Sequence, residues 1–556
     1  MTTAIDQNEP RPSKATGIVL TVAALIVAVM LTVNPAPNND LFWQLRAGAD
    51  ILRTHQAPHA DTFSWTRTGT QWVAHEWLSF AIFALAYKAA GFSGLYVLMA
   101  VCIGATFTGL FRIAASNARV AADRGEVAST VAFLVWLAGV MISRPYFQPR
   151  PQLFTYLFLV VTMSTVLSAR RMSTPRLWML IPLFVLWANL HAGVLIGVGV
   201  LAVFAIGEGV DAYVERSRRD VAGEMAFARH LGMVAAGGLL STLATPYSYH
   251  IYQNFAATVS NATAMNTVGE WASPDFHSPF GHVIEVYLGL AMASLFFSQR
   301  KRRTADVALV LILLYETLGA NRNAPLLAIV CTPLIAEHAM SAFGRVKWAS
   351  MIGPGVAYVL AVATVNGALM SAVSTMRESA VKDGAPLERV ALTSIDYAGY
   401  PAKACEFVER EQVPAGIRMY NIYGQGGFLI WKLPDHPVFI DGRADIYFGK
   451  HLDDVSRMRS MPYDWRSTLN KWHVDMIVSE ASDPQAKLFL GAPDWALVYA
   501  DSPILSDTFR PEGPVNSLIF IRNIPEYTKL IGKCRSDCPA VAKIAGRYRP
   551  SSGSGP

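Results

Sequence analysis

Residues 77–91 read WLSFAIFALAYKAAG, and whether this run crosses a membrane decides the topology of everything that follows it. With 15 residues, it falls short of the roughly 17–25 apolar residues needed to cross about 30 Å of hydrocarbon. It also carries Lys88 and ends on Gly91. Two readings are open: a span, or a helix lying in one interface.

The rest of the chain supplies the means to choose. Its 556 residues are 52% hydrophobic and only 16% charged, with mean hydropathy +0.30. Soluble domains carry about 25% charged residues, so the sequence predicts a multi-pass membrane protein with some soluble mass. Eleven other runs have spanning length: 17–34, 93–112, 127–144, 153–169, 177–191, 192–211, 231–247, 281–298, 305–320, 324–342 and 351–371. The first is long for a signal peptide and shows no cleavage site, so it reads as a retained span.

Charge then decides. If 77–91 does not cross, the segments 1–16, 112–126, 170–176, 212–230, 299–304 and 343–350 share one side and hold 18 Lys or Arg. The other side, up to residue 350, holds seven. The positive-inside rule places the richer side, with the N-terminus, in the cytoplasm. A crossing at 77–91 would send the basic clusters at 216–219 and 300–303 outward, so the run is read as an outer interfacial helix. The net charge of +6 is thus a topology signal, and no nucleic-acid partner is expected.

Eleven spans put the C-terminus outside. The expected domains are a cytoplasmic arm (1–16), a bundle (17–371) that includes a first outer loop (35–92), an extracytoplasmic α/β domain (372–525) and a basic, disordered tail (526–556). Within the α/β domain, strand-like runs IRMYNI, GGFLIWKL, PVFIDG, VDMIVSE, WALVYAD and SLIFIRN are interleaved with helical stretches near 402–411, 452–460 and 464–472. That order predicts a partly parallel sheet. Cys102 and Cys331 read as packed apolar groups; Cys534 and Cys538 could pair if their end meets an oxidising compartment.

Ionisable groups beside spans are costly and often functional, and here they gather on the outer side. The first outer loop offers Asp40, Trp43, His75 and Glu76. SRPYFQPRPQ offers Arg144, Arg150 and Gln152, and His191 ends WANLH. The last pieces are Glu270 and Trp271 in GEW, and Arg322 and Asn323 in GANRNAP. A cleft would gather them. Arginine is suited to phosphate, because its planar fork donates two parallel bonds. Asp40 reads either as a helix cap or as a catalytic carboxylate. His75–Glu76 reads as a capping pair or a site, and His191 as a structural or a ligand-facing histidine. Phe42, Trp43, Trp65 and Trp72 fit an interface belt. In the outer domain, Tyr423 lies in a glycine-rich run without nucleotide-loop spacing. Asp441, Arg443 and Asp445 follow a strand-like run, either as a ligand site or as a turn held by an Arg–Asp pair.

This arrangement resembles the GT-C superfamily of polyprenyl-phosphate-dependent membrane glycosyltransferases. The likeness rests on the acidic NND opening the first outer loop, the interfacial helix after it, and the large bundle with an outer C-terminal domain. The pieces DLFWQLRAG, WVAHEW, RPQLF, WANLHAG, GEW, RNAPL and VFIDGRAD look like those of a bacterial branch of that group. The resemblance implies a multi-pass protein of the bacterial inner membrane that takes a sugar from a polyprenyl phosphate, in contact with membrane lipid, and passes it with inversion to an acceptor outside. It implies Asp40 as general base, with the outer arginines on the phosphate. The superfamily often has a second acidic residue beside the first or in the second outer loop. Leu41 and the Arg144–Gln152 stretch lack one, leaving Glu76 or Glu270 to supply it. No cofactor is implied, and a divalent metal is left open. Two competing readings are a non-catalytic subunit that binds lipid-linked glycan and a transporter. The second predicts internal repeats, and the sequence shows none.

Overall fold

The structure is a computed structural model describing residues 14–33, 38–122, 125–171, 176–216, 221–259, 271–344, 354–383, 400–447, 454, 465–501, 517–538, 541 and 544. The chain divides into two compact units. The first comprises residues 1–35, 89–249 and 268–393, and the second 36–88, 250–267 and 394–556. The first outer loop therefore clusters with the C-terminal domain, not with the bundle where the sequence reading put it. The reason is apolar: its aromatic residues pack against C-terminal ones.

The first unit is a helical bundle. Seven described helices are long and apolar enough to cross a membrane, so this is a multi-pass membrane protein. The expected eleven runs each contain helix, but four helices fall outside that measure. Lys14–Met30, Leu180–Leu190 and Thr304–Gly319 are short, and Val221–Ser241 is diluted by Glu224, Arg229 and His230. Helix Ala324–Phe343 is buried along nearly its whole length, as expected of an element apolar on every face. Its neighbours Gly125–Ser143 and Pro279–Phe297 pack on it. Pro333 interrupts its ladder, and Asn117 donates to the Pro333 carbonyl at 3.3 Å. At another point of the bundle Arg170 is buried between two carboxylates, with Nη1 2.9 Å from Asp306 and Nε 2.6 Å from Glu208. One guanidinium thus ties three helices together.

The run 77–91 begins helix Trp77–Val120, which is broken at Ala90 and Gly91. Gly91 has φ 59° and ψ −144°, a conformation essentially reserved for glycine. The boundary between units falls at residues 88 and 89. The segment 77–88 thus belongs with the second unit and the rest of the helix with the bundle.

The second unit is built around a four-stranded sheet of order β1-β2-β4-β3, where β1 is Met419–Asn421, β2 Met476–Glu480, β3 Trp495–Ala500 and β4 Ser517–Arg522. β1 and β2 are parallel and the other pairs antiparallel, so the sheet is partly parallel as expected. Two strand expectations fail. GGFLIWKL forms helix Gly426–Lys432, a short apolar run whose type periodicity cannot decide. PVFIDG contributes only a bridge from Val438 to Ser64. Of the helix expected at 452–460, only Asp454 lies within the described residues.

Two further expectations are corrected here. The tail from 526 opens with helix Thr528–Ser536, which buries Ile531 and Cys534 and is held to β3 by Arg535 donating to the Leu497 carbonyl at 3.0 Å. Cys534 and Cys538 are free buried thiols, and Cys538 points its sulfur at the Ala500 carbonyl.

Candidate functional sites in the two units

In the second unit, helix Asn39–Thr54 presents Asp40 in its first turn. Asn38, not Asp40, is the cap: its side-chain oxygen accepts from the Asp40 amide at 3.0 Å. Asp40 is thereby released from capping and gains from the helix dipole. Its Oδ1 accepts from Trp43 Nε1 at 3.1 Å. The carboxylate lies so close to Gly442 that a Cβ there would fall 2.1 Å from Oδ1. Glycine at 442 is what allows the DGRAD turn and Asp40 to meet. Tyr423 fixes that turn by donating to the Gly442 carbonyl at 3.1 Å.

The aromatic residues of the first loop are core, not an interface belt. Phe42, Trp43 and Trp72 are buried. Phe42 meets Tyr400 and Phe428 edge-on at 4.8 and 5.0 Å, while Trp43 meets Phe80 at 5.1 Å. Trp65 donates through Nε1 to the Met419 carbonyl at 2.9 Å. Aromatic pairs of this kind add to the burial of their area, and they weld the loop onto the sheet domain.

Asp441 and Arg443 are wholly buried, and their geometry is that of a latch, not of a ligand site. Arg443 Nη2 lies 2.6 Å from Asp441 and 2.8 Å from Asp61. Its guanidinium lies over the rings of both Trp72 and Phe63, at 4.6 and 4.9 Å. Tyr447 donates to Asp441 at 2.6 Å, and Asp61 caps its own turn through the amide of Phe63. Burial alone would raise the Asp441 pKa, but Arg443 outweighs it and holds the carboxyl below its ordinary value.

Asp445 differs. It is half-buried, and Asn254 donates to it at 3.3 Å. Burial pushes its pKa up, partly offset by His75 and Arg443. His75 Nε2 stands 3.7 Å from Glu76. Burial lowers its pKa, yet Glu76 and Asp445 more than compensate, so it ends above its ordinary value. Asp40 and Asp445 thus flank one turn, and Asp445 is coupled to the His75–Glu76 pair.

The bundle unit holds a second constellation. Arg150, Gln152, His191, Arg322 and Asn323, from three separate stretches of sequence, line one cavity of about 80 Å³. Tyr146, Gln148, Thr155 and Tyr156 also line it and were not singled out from the sequence. The RPYFQPRPQ stretch, with three prolines in the turn before helix Gln152–Ala169, brings Arg150 and Gln152 to it. Arg322 stacks on Trp271 at 4.4 Å. Arg144 is not among the lining residues; its guanidinium donates to Ser371 at 2.9 Å. Glu270 lies outside the described residues. Among the described residues, no three His, Cys, Asp or Glu side chains converge as metal ligands.

No family model and no curated protein matches the chain. Solved structures do. A crystal structure of ArnT from Cupriavidus metallidurans in the apo state aligns with TM-score 0.50 and 14% identity, covering 91% of this chain and 98% of that one. A structure of the same protein bound to undecaprenyl phosphate aligns with TM-score 0.49 and 13% identity, covering 92% and 99%. The chain therefore has an ArnT-like fold.

Proposed function

We propose that this chain is an integral membrane glycosyltransferase that takes a sugar from a polyprenyl-phosphate donor and transfers it to an extracytoplasmic acceptor. The observation that carries this reading is the bundle cavity. Two arginines, a histidine and three amide side chains line one small space in the bundle. Groups of that kind are expensive inside a membrane, and forked arginine donors match phosphate oxygens. In this reading Arg150 and Arg322 hold the phosphate of a lipid whose tail stays in the bilayer, and Gln152, His191 and Asn323 complete the donor set.

Asp40 is assigned the general base. It would take the proton from an acceptor hydroxyl as that oxygen attacks the anomeric carbon. The sugar–phosphate bond breaks with inversion, and polyprenyl phosphate leaves. Arginine on the leaving phosphate stabilises the charge that develops there. Asp445 and the His75–Glu76 pair are assigned to hold the acceptor or donor sugar beside Asp40. They replace the second acidic residue sought in the outer loops. The topology of the proposal has eleven spans, a cytoplasmic N-terminus and the second unit outside the inner membrane. It rests on the asymmetry of 18 against seven basic residues.

Binding of polyprenyl phosphate to the purified protein tests the pocket. The wild type should bind saturably, and Arg150→Met/Arg322→Met should bind at least 100-fold more weakly. Each lost charge-assisted contact is worth about 1.5–3 kcal/mol, or roughly a factor of ten or more. Equal binding by the two proteins would remove the phosphate role.

A further inference from the structure

The cavity's histidine is held in one protonation form by residues that do not themselves resemble site residues. His191 closes helix Leu180–Leu190, and its Nδ1 accepts a hydrogen bond from the backbone N–H of Gly193 at 2.9 Å. A backbone amide can only donate, so Nδ1 carries no proton. Thr155 Oγ1 lies 2.8 Å from the same nitrogen. The Thr155 oxygen in turn accepts from Trp187 Nε1 at 2.8 Å. An indole N–H is also donor-only, and because the bare Nδ1 can only accept, the Thr155 hydroxyl is the donor toward His191. The chain Trp187→Thr155→His191 therefore runs in one direction. The packing is tight: a Cβ on Gly193 would fall 2.3 Å from Thr155 Oγ1 and 2.7 Å from His191 Nδ1.

We propose that Thr155, Trp187 and the Gly193 amide hold His191 as the neutral Nε2–H tautomer, so that it donates a hydrogen bond to the lipid-linked phosphate. The inference rests on the phosphate reading of this cavity and adds a positioning role for Thr155. The chemistry explains why a neutral donor is useful there. A sugar phosphodiester has two non-bridging oxygens, which two arginines can serve. When the sugar–oxygen bond breaks, the bridging oxygen keeps the bonding electron pair and becomes a third anionic oxygen on polyprenyl phosphate. A third donor then finds a partner that exists fully only in the product, and interactions that strengthen along the reaction lower its barrier. His191 supplies that donor without losing its proton, so charge and proton count are unchanged. The second shell fixes the ring as in other sites where one ring nitrogen is pinned so that the other can act.

Two measurements test this. The first is nitrogen NMR on the full-length protein with labelled histidine, assigned by comparison with His191→Gln. A proton on Nε2 is expected in the wild type, and Thr155→Val should give a mixture of tautomers. A wild-type proton on Nδ1 would overturn the proposal. The second is binding of undecaprenyl phosphate in detergent. His191→Gln, whose amide N–H mimics Nε2–H, should bind within about threefold of wild type, and His191→Leu roughly tenfold or more weakly, the loss of one charge-assisted hydrogen bond. Wild-type affinity in His191→Leu, with the arginine double variant still impaired, would sink the histidine's role and leave the phosphate reading standing. No binding by wild type would overturn both.

Discussion

Arg443→Met should destabilise the second unit by about 3–5 kcal/mol, the cost of stripping one partner from a buried ion cluster. Arg443 is 2% exposed and serves Asp441 and Asp61, each 0% exposed. Removing it leaves two carboxylates in a low-dielectric interior with only neutral donors, the Tyr447 and Ser64 hydroxyls among them. Methionine can keep much of the packing against Phe63 and Trp72, so lost packing is the smaller part. The pH dependence separates this account from simple cavity formation. In the wild type the folded Asp441 pKa lies below its ordinary value. Its contribution is therefore present above the unfolded pKa, near 3.9, and is lost only as pH falls through the lower folded value. Without Arg443, burial dominates and the folded pKa rises above the unfolded one. The variant's deficit should then be largest at neutral pH and shrink on acidification, as the stranded Asp441 carboxylate takes up a proton. Thermal unfolding between pH 5 and pH 8 reads this out. A deficit independent of pH would show that the latch is packing, not charge.

Asp40→Asn should leave the fold intact and remove most sugar transfer, by about 10²–10⁴-fold, the usual contribution of a general base. The fold is expected to survive because the helix is capped by Asn38, and an asparagine oxygen can still accept from Trp43. The loss should fall on turnover and not on donor affinity, because the base acts on the acceptor hydroxyl. Unchanged turnover in a correctly folded Asp40→Asn protein would assign the base elsewhere, with Asp445 and Glu76 the next candidates. Turnover lost together with lipid binding would indicate that Asp40 orders the donor and is not a base.

Much of the membrane architecture could be read from the chain because its signals are local and strong. Apolar runs, basic flanks and the weak 77–91 segment needed only composition and charge. The broken helix at Gly91 follows from that glycine's unusual backbone, but a glycine after an apolar run does not by itself announce a break. Five of the bundle residues chosen from sequence share one cavity, because each sits at the end of a spanning helix where a polar side chain is conspicuous. Thr155 was missed because a threonine in an apolar helix commonly bonds its own backbone and gives no signal. The second unit was harder. Asp441 and Arg443 looked as much like a ligand site as a latch, and the partner that decides between them, Asp61, lies some 380 residues earlier in the chain. Phe42 and Trp65 give no signal of their core role for the same reason: their partners Tyr400, Phe428, Trp431, Phe439 and Trp472 are remote in sequence. Proximity across such distances is a tertiary fact, and periodicity carries none of it.

Release of polyprenyl phosphate from a polyprenyl-phosphate-linked sugar by the purified wild-type protein, in the presence of a cell-envelope acceptor fraction, is the most direct test of catalysis. Enzymatic transfer predicts that lipid phosphate and glycosylated acceptor appear together in equal amounts, with inverted anomeric configuration, and that Asp40→Asn suppresses both. Saturable binding of the donor with no release across a panel of sugars and acceptors would contradict it, and would make the chain a lipid-linked-glycan-binding subunit instead.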